Sequence, residues 1–281
     1  MTRRVAFVTG ASRGIGAESA VALAKAGFDV AIVARTLETG ESHDYGGATL
    51  PLPGSLRATA AAIEAHGQQA LCLRADVLDQ ASMETAAEQA LAHFGRIDLL
   101  FNNAIYQGEG TLSYLMDITS EQLQAAYQGN VFTPLALVKA LLPGMVEQGS
   151  GTILNMLSAT AFMNPPAPAD KGGWGFAYAS SKAAVGRMVG SIRAEHSDCG
   201  LRCFNLEPGT VMTEVMRNAG ISEELMRRYK AVSPAAIASV VAWLADNEPQ
   251  EEWQPEEILH GPAIAKSLGL LEAQSLLGAP Q

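Results

Sequence analysis

Short runs rich in apolar and β-branched residues alternate with stretches of helical periodicity from the start of the chain to about position 206. Val5–Thr9, Val30–Ala34, Ala70–Arg74, Ile97–Phe101, Thr152–Leu157 and Leu201–Leu206 read as strands buried on both faces. Between them Ile15–Ala26, Ser55–His66, Ala81–Phe94, Glu121–Glu147 and Tyr178–His196 repeat apolar positions every three to four residues, which predicts helices. Pro134 and Pro143 are expected to bend or break the fourth of these. Strands alternating with helices imply βαβ crossovers and hence an α/β fold, a doubly wound and mostly parallel sheet. No internal repeat or linker divides the 281 residues, so the pattern predicts a single domain over 1–281. Residues 247–281 depart from the rhythm and read as an atypical extension of that domain.

Three segments interrupt the alternation. Thr36–Gly54 is long and rich in Gly, Pro and Ser, and reads as surface elaboration. Asn164–Gly175 carries three prolines and three glycines and is read as functional, because it lies between two candidate catalytic residues. Glu248–Pro255 is acidic and contains Trp253.

Composition narrows the function classes. Nineteen basic against 29 acidic residues leave a formal charge of −10, which argues against nucleic acid and anionic membrane as partners. Cys72, Cys199 and Cys203 show neither a disulfide framework nor a zinc spacing, so no metal is expected. The N-terminus runs directly into a strand pattern without a signal-peptide core. The longest apolar stretch, Val131–Val146, is interrupted by Lys139 and Pro143. The expected compartment is the cytoplasm, with no membrane association.

Thr9-Gly10-Ala11-Ser12-Arg13-Gly14-Ile15-Gly16 joins the first strand to the first helix. Glycines at 10, 14 and 16 permit a tight turn and close approach of a pyrophosphate, and the helix N-terminus offers free N–H groups and a positive dipole end. Dinucleotide enzymes that use NAD usually place an acid at the end of the second strand to bind the ribose 2′-hydroxyl. Here Ala34-Arg35 stands in that place, and Arg35 and Arg13 can pair with a 2′-phosphate. The reading is NADP(H), with NAD(H) possible. Asp76, after the third strand, suits either the adenine amine or a helix N-cap, a task Asp79 can also perform.

Tyr178 and Lys182 are four residues apart, so they share one helix face, about 6 Å apart in rise. A tyrosine has an ordinary pKa of about 10, and a nearby ammonium favours its phenolate. Such a phenol can protonate a carbonyl oxygen or deprotonate an alcohol. Ser158 follows the Thr152–Leu157 strand, where its hydroxyl can hydrogen-bond a reacting oxygen.

Taken together, the T-G-x-x-x-G-x-G turn, Asn102-Asn103-Ala104-Ile105, the ordered set Asn130, Ser158, Tyr178 and Lys182, and Glu207-Pro208-Gly209-Thr210 resemble the short-chain dehydrogenase/reductase family over roughly residues 4 to 246. The resemblance implies a Rossmann fold and an oxidoreductase moving a hydride between nicotinamide and a carbonyl or alcohol. It implies a catalytic tetrad: Tyr178 as acid and base, Ser158 orienting substrate, Lys182 also holding the nicotinamide ribose, and Asn130 placing a water that links Lys182 to solvent. It implies cofactor contacts from Gly10, Ser12, Arg13, Gly14, Ile15 and Gly16 in the turn, and from Arg35. Asp76 and Val77 would lie at the adenine. Asn103, Ala104, Pro208, Gly209, Val211 and Thr213 would line the rest of the dinucleotide. A homotetramer or homodimer is implied by analogy. Ile105 stands where the family usually has glycine, and the usual V-D-G-G-like ending is missing, with Glu256–Gly261 as a substitute strand.

Phe162, Met163, Trp174 and Phe176 in the 20-residue interval from Ser158 to Tyr178, Tyr106, Leu112, Tyr114 and Met116 after Ile105, and Met212, Met216, Met226 and Tyr229 after Gly209 are candidates for an apolar pocket wall. They point to a medium or bulky apolar carbonyl or alcohol as substrate. Two rival classes are an epimerase or dehydratase acting on nucleotide sugars and a regulatory protein that binds cofactor without turning it over. The glycine spacing disfavours the first, and the intact Ser158, Tyr178 and Lys182 disfavour the second.

Overall fold

A computed structural model of the chain describes residues 3–45, 48–214, 224, 229–249 and 258–270. Seven parallel strands form the central sheet: β1 (Arg4–Thr9), β2 (Phe28–Ala34), β5 (Ala70–Arg74), β6 (Leu99–Asn102), β7 (Gly151–Met156), β8 (Leu201–Glu207) and β9 (Ile258–His260). Their order is β5-β2-β1-β6-β7-β8-β9, so the winding direction reverses between β1 and β6. In a doubly wound sheet the crevice at the carboxyl ends of such a pair receives the ligand.

The period-two pattern of each strand feeds two apolar layers. Ala6, Val8, Val30 and Ile32 face α1 (Gly14–Lys25), α2 (Leu56–Glu64) and α7 (Pro234–Leu244). Val5, Phe7, Ala31 and Val33 face α3 (Gln80–Phe94) and α5 (Thr133–Gln148), with α6 (Phe176–Glu195) closing the same side. Phe7, Ile32 and Phe101 are fully buried, and burial of a side chain of this size contributes about 1.5–3 kcal/mol.

The predicted helix Glu121–Glu147 is three elements. α4 (Ser120–Tyr127) runs into a single π turn, Gln128–Phe132, which opens into α5. The interruption precedes Pro134. Pro134 has no N–H to return to the preceding turn and its ring crowds the carbonyl four residues back, at Asn130 within the π turn, so the predicted break is found there; Pro143 is accommodated within α5. The whole run Ser120–Gln148 is long and apolar enough to cross a membrane, but half of its most apolar window is buried. Leu137, Leu141 and Met145 belong to the core, so it serves as a core helix.

Two departures from the alternating pattern matter for the site. Thr36–Gly54 is more than surface elaboration. Its middle forms an antiparallel hairpin, β3 (Ser42–Tyr45) with β4 (Ala48–Pro51), and its end returns Leu52 to a buried position beside the glycine turn. At the other end of the chain, Ile258–His260 pairs with β8, so the substitute strand exists, and α8 (Gly261–Ser267) follows it. Met216, Met226 and Trp253 lie outside the described residues.

Candidate active site

A cleft of about 940 Å³ opens along the carboxyl ends of the strands. Its floor is the glycine turn. Gly10 and Gly14 have φ of +69° and +56°, a backbone region that side chains disfavour. A Cβ on Gly10 would lie 2.8 Å from Nδ2 of Asn103, and one on Gly16 would strike the carbonyl of Gly10. The turn is fastened to the next strand by Thr9, whose buried hydroxyl accepts from the N–H groups of Asn103 and Ala104 at 3.0 and 2.9 Å and donates to the Phe101 carbonyl. Asn103 Nδ2 donates to the Thr9 carbonyl at 2.8 Å. The result is a cradle of backbone at the N-terminus of α1, whose shape and dipole suit a dinucleotide diphosphate. Thr213 faces it, since a Cβ on Gly14 would lie 3.6 Å from the Thr213 methyl.

At the β2 end, Arg35 lines the cleft with its guanidinium 3.8 Å from the carboxylate of Asp76. Asp79 is the N-cap of α3, whereas Asp76 accepts from the N–H of Leu78, so Asp76 is free of the cap role. Arg13 donates to the Pro53 carbonyl at 2.6 Å and to Thr36 Oγ1 at 2.7 Å, which ties the inserted segment to the turn. Glu41, just before the hairpin, pairs with Arg74 at the end of β5.

The residues expected to take part in hydride transfer lie on the other side. Tyr178 and Lys182 both line the cleft from the first turns of α6, which starts two residues earlier than the periodicity predicts. Lys182 is 5% exposed, its Nζ donates to the Met156 carbonyl at 2.7 Å, and burial pulls its pKa from 10.5 down to about 8. An amine so tuned exchanges protons near neutral pH, as a proton relay requires. Ser158 follows β7 and caps a short 3₁₀ turn, Ala159–Ala161, accepting weakly from the N–H of Thr160 at 3.4 Å.

α6 is held in place by a row of amides. Asn102, Asn155 and Asn205 are in register across β6, β7 and β8, and all three are buried. Asn102 donates to Asn155 at 3.0 Å, Asn155 to the Val185 carbonyl at 3.4 Å, and Asn205 to the Gly186 carbonyl at 2.8 Å. Asn130 lies buried in the π turn. Its Oδ1 accepts from the N–H of Tyr106 at 2.7 Å, and its Nδ2 donates to Ser181 Oγ at 3.1 Å, which in turn donates to the Tyr178 carbonyl at 2.9 Å. The π turn thus joins the segment after β6 to the backbone of α6.

The sixteen residues expected to hold the cofactor, and Tyr178 with them, line this one cleft; Asn130 and Ser158 do not form its lining and lie behind or beside it. Ile105 lines the cleft without adopting the left-handed backbone, which explains why a β-branched residue is tolerated there. Met212 is fully buried in the protein rather than a pocket wall, while Leu112, Tyr114, Met116, Phe162, Met163 and Phe176 are exposed. Sequence reasoning missed Leu52, Thr36 and the Gln107–Glu109 segment in the cleft, and the bracing residues Asn155, Asn205 and Ser181. Only the paired asparagines at strand ends carried a signal, since buried amides need partners. Among the described residues no three His, Cys, Asp or Glu side chains come together as a metal site.

Comparison with known proteins agrees with this geometry. The chain is 30% identical over 247 residues to 2-(R)-hydroxypropyl-CoM dehydrogenase of Xanthobacter autotrophicus, covering 86% of this chain and 88% of that protein. It is 28% identical over 256 residues to an NAD-dependent oxidoreductase of Mycobacterium tuberculosis, covering 86% and 89%. Among solved structures it resembles a metagenomic short-chain oxidoreductase in complex with NADP, with a TM-score of 0.67, 30% identity, and coverage of 88% and 93%. Residues 4–44 and 50–224 match the short chain dehydrogenase family, and the chain is a member of it.

Proposed function

We propose that this protein transfers a hydride between a nicotinamide cofactor, NADP(H) in preference to NAD(H), and the carbonyl or alcohol carbon of a medium or bulky apolar substrate. One observation carries the reading: a tyrosine and a buried lysine on one face of α6 open onto the same cleft as a backbone cradle shaped for a diphosphate. Bound in that cradle, the nicotinamide would supply or accept the hydride. Every other task falls to side chains. Tyr178 gives its phenolic proton to the substrate oxygen as a carbonyl is reduced, or takes it as an alcohol is oxidised. Lys182, with its pKa near 8, replaces or removes that proton and holds the cofactor ribose. Ser158 hydrogen-bonds the substrate oxygen. Asn130 holds the π turn open for a water leading to Lys182.

The preference for NADP rests on Arg35 at the mouth of the adenosine end, where an NAD enzyme would place a carboxylate. NADP in the metagenomic structure and the NAD-dependent relative support use of either cofactor within this architecture. The apolar substrate rests on two segments that adjoin the cleft, the one after Glu109 and the one between Leu157 and Tyr178. They expose Leu112, Met116, Phe162 and Phe176, and the Tyr114–Asp170 hydrogen bond joins them. Exposed Phe132 at the end of the π turn and Leu135 on α5 support assembly of a dimer or tetramer through that helical run. A panel of carbonyls and alcohols, assayed with both cofactors, tests the whole reading. Apolar ketones with NADPH should turn over fastest, and turnover confined to small polar carbonyls would refute the substrate class. Arg35→Asp should shift the preference toward NAD(H), and an unchanged ratio would remove Arg35 from the 2′-phosphate.

A further inference from the structure

Glu207 ends β8 and immediately precedes Pro208 and Gly209, which line the cleft. Its side chain does not reach the cleft and is buried, the residue being 6% exposed. A carboxylate in such a place persists only when its oxygens are paired. Oε1 accepts from the N–H of Gly209 at 2.8 Å. Oε2 lies 3.4 Å from Nε2 of His260, the residue opposite Glu207 in the β8–β9 register. Nδ1 of that imidazole accepts from the N–H of Ala263 at 3.2 Å, which leaves Nε2 as the ring nitrogen beside the carboxylate.

The turn is also wedged sterically. Gly209 has a φ of +64°, and a Cβ there would lie 2.8 Å from Cγ of Pro262 in α8. On its far side, the N–H of Val232 donates to the Thr210 carbonyl at 2.9 Å and the N–H of Met212 to the Val232 carbonyl at 3.1 Å. The cleft wall from Pro208 to Val211 is therefore fixed at one end by Val232, through Thr210 and Met212, and at the other by Glu207. His260 belongs to β9 and Pro262 to α8, the part of the chain that departs from the family pattern.

We propose that Glu207, backed by His260, is a positioning residue for the cofactor. By anchoring the Gly209 N–H, it holds the Pro208–Thr210 wall where the nicotinamide end must pack, and this makes β9 and α8 part of the binding machinery. The inference rests on the nicotinamide reading of the cleft. β9 is at the opposite edge of the sheet from β5, so the adenosine end is insulated from the clamp.

The test compares ligands that do and do not reach the clamped wall. Full-length variants are titrated with NADPH and NADH, and with the matching fragments 2′,5′-ADP and ADP. Glu207→Ala should weaken the better dinucleotide about tenfold while changing its fragment by less than about twofold. Glu207→Gln keeps an acceptor for Gly209 and should restore affinity to within about threefold, and His260→Ala should cost about threefold. Unchanged dinucleotide affinity in Glu207→Ala, or equal loss for dinucleotide and fragment, would overturn the proposal. If Glu207→Ala fails to fold, His260→Ala on its half-exposed side chain decides by the same comparison. A parent protein that binds neither dinucleotide nor fragment would overturn the cofactor reading itself.

Discussion

The glycine turn between β1 and α1 meets the cleft with bare backbone, whereas α6 meets it with side chains held from behind by buried amides. On the β5-β2-β1 side the strands are packed by apolar residues such as Val8, Ile32 and Leu73, and the site is made by what is missing, the Cβ atoms of Gly10 and Gly16. On the β6-β7-β8 side the strands carry three registered asparagines, and the site is made by what they hold, the mid-helix carbonyls of Val185 and Gly186. The difference follows from the two tasks. A diphosphate is recognised by N–H groups and a helix dipole, which any residue supplies once the backbone comes close enough. Proton transfer needs particular atoms fixed to within a fraction of an ångström, and buried hydrogen-bonded networks provide that rigidity.

Four substitutions probe this contrast. The largest effect is expected at Gly16, because a side chain there must displace the Gly10 carbonyl. Gly16→Val should abolish cofactor binding and lower stability by about 1–3 kcal/mol, measured by ligand titration and denaturant unfolding. Lys182→Met should act in the opposite sense on stability. With a folded-state pKa of about 8 against an ordinary 10.5, Lys182 is charged and buried below pH 8, so its replacement should stabilise the fold there by about 1–3 kcal/mol while abolishing turnover. The native protein loses its proton on folding between those two pKa values, so its stability rises with pH across that window and the advantage of the variant shrinks. Unfolding free energies at pH 7 and pH 10 check the sign, and a variant less stable at pH 7 would contradict it. Asn155→Ala removes the bond from Asn102 and the bond to Val185, and should cost about 1–3 kcal/mol. Turnover should fall several-fold with cofactor affinity nearly constant; equal loss of both would mean that the amide row serves the whole cleft. The smallest effect is expected at Ile105→Gly, since that position does not require a left-handed backbone. Affinity and turnover should stay within about threefold, the range of a lost side-chain contact.

The same contrast explains what the sequence disclosed. Glycine spacing and strand–helix alternation are local, and they located the turn and the kind of sheet around it, while the family resemblance supplied the cleft residues from Gly10 to Thr213. The Tyr178–Lys182 pair was legible because four residues on a helix always share a face. Bracing is not local. Asn102, Asn155 and Asn205 are about fifty residues apart in sequence and become neighbours only through sheet register. The break before α5 falls where Pro134 predicts it, in a π turn around Asn130 four residues upstream, whereas Pro143 stays within α5; the bonds from Asn130 to Tyr106 and Ser181 are long-range and had no local signal. Thr36–Gly54 read as surface because loop composition says nothing of where the chain returns, and Leu52 and Pro53 return to the glycine turn.

The most direct test of the account is Tyr178→Phe, which deletes one hydroxyl and leaves both halves of the cleft otherwise intact. Turnover of a carbonyl substrate with NADPH should fall by about 10²–10⁴, the usual contribution of a positioned acid or base, while NADPH affinity changes by less than about twofold. Turnover within about threefold of the parent would contradict the assignment of that phenol as the proton donor.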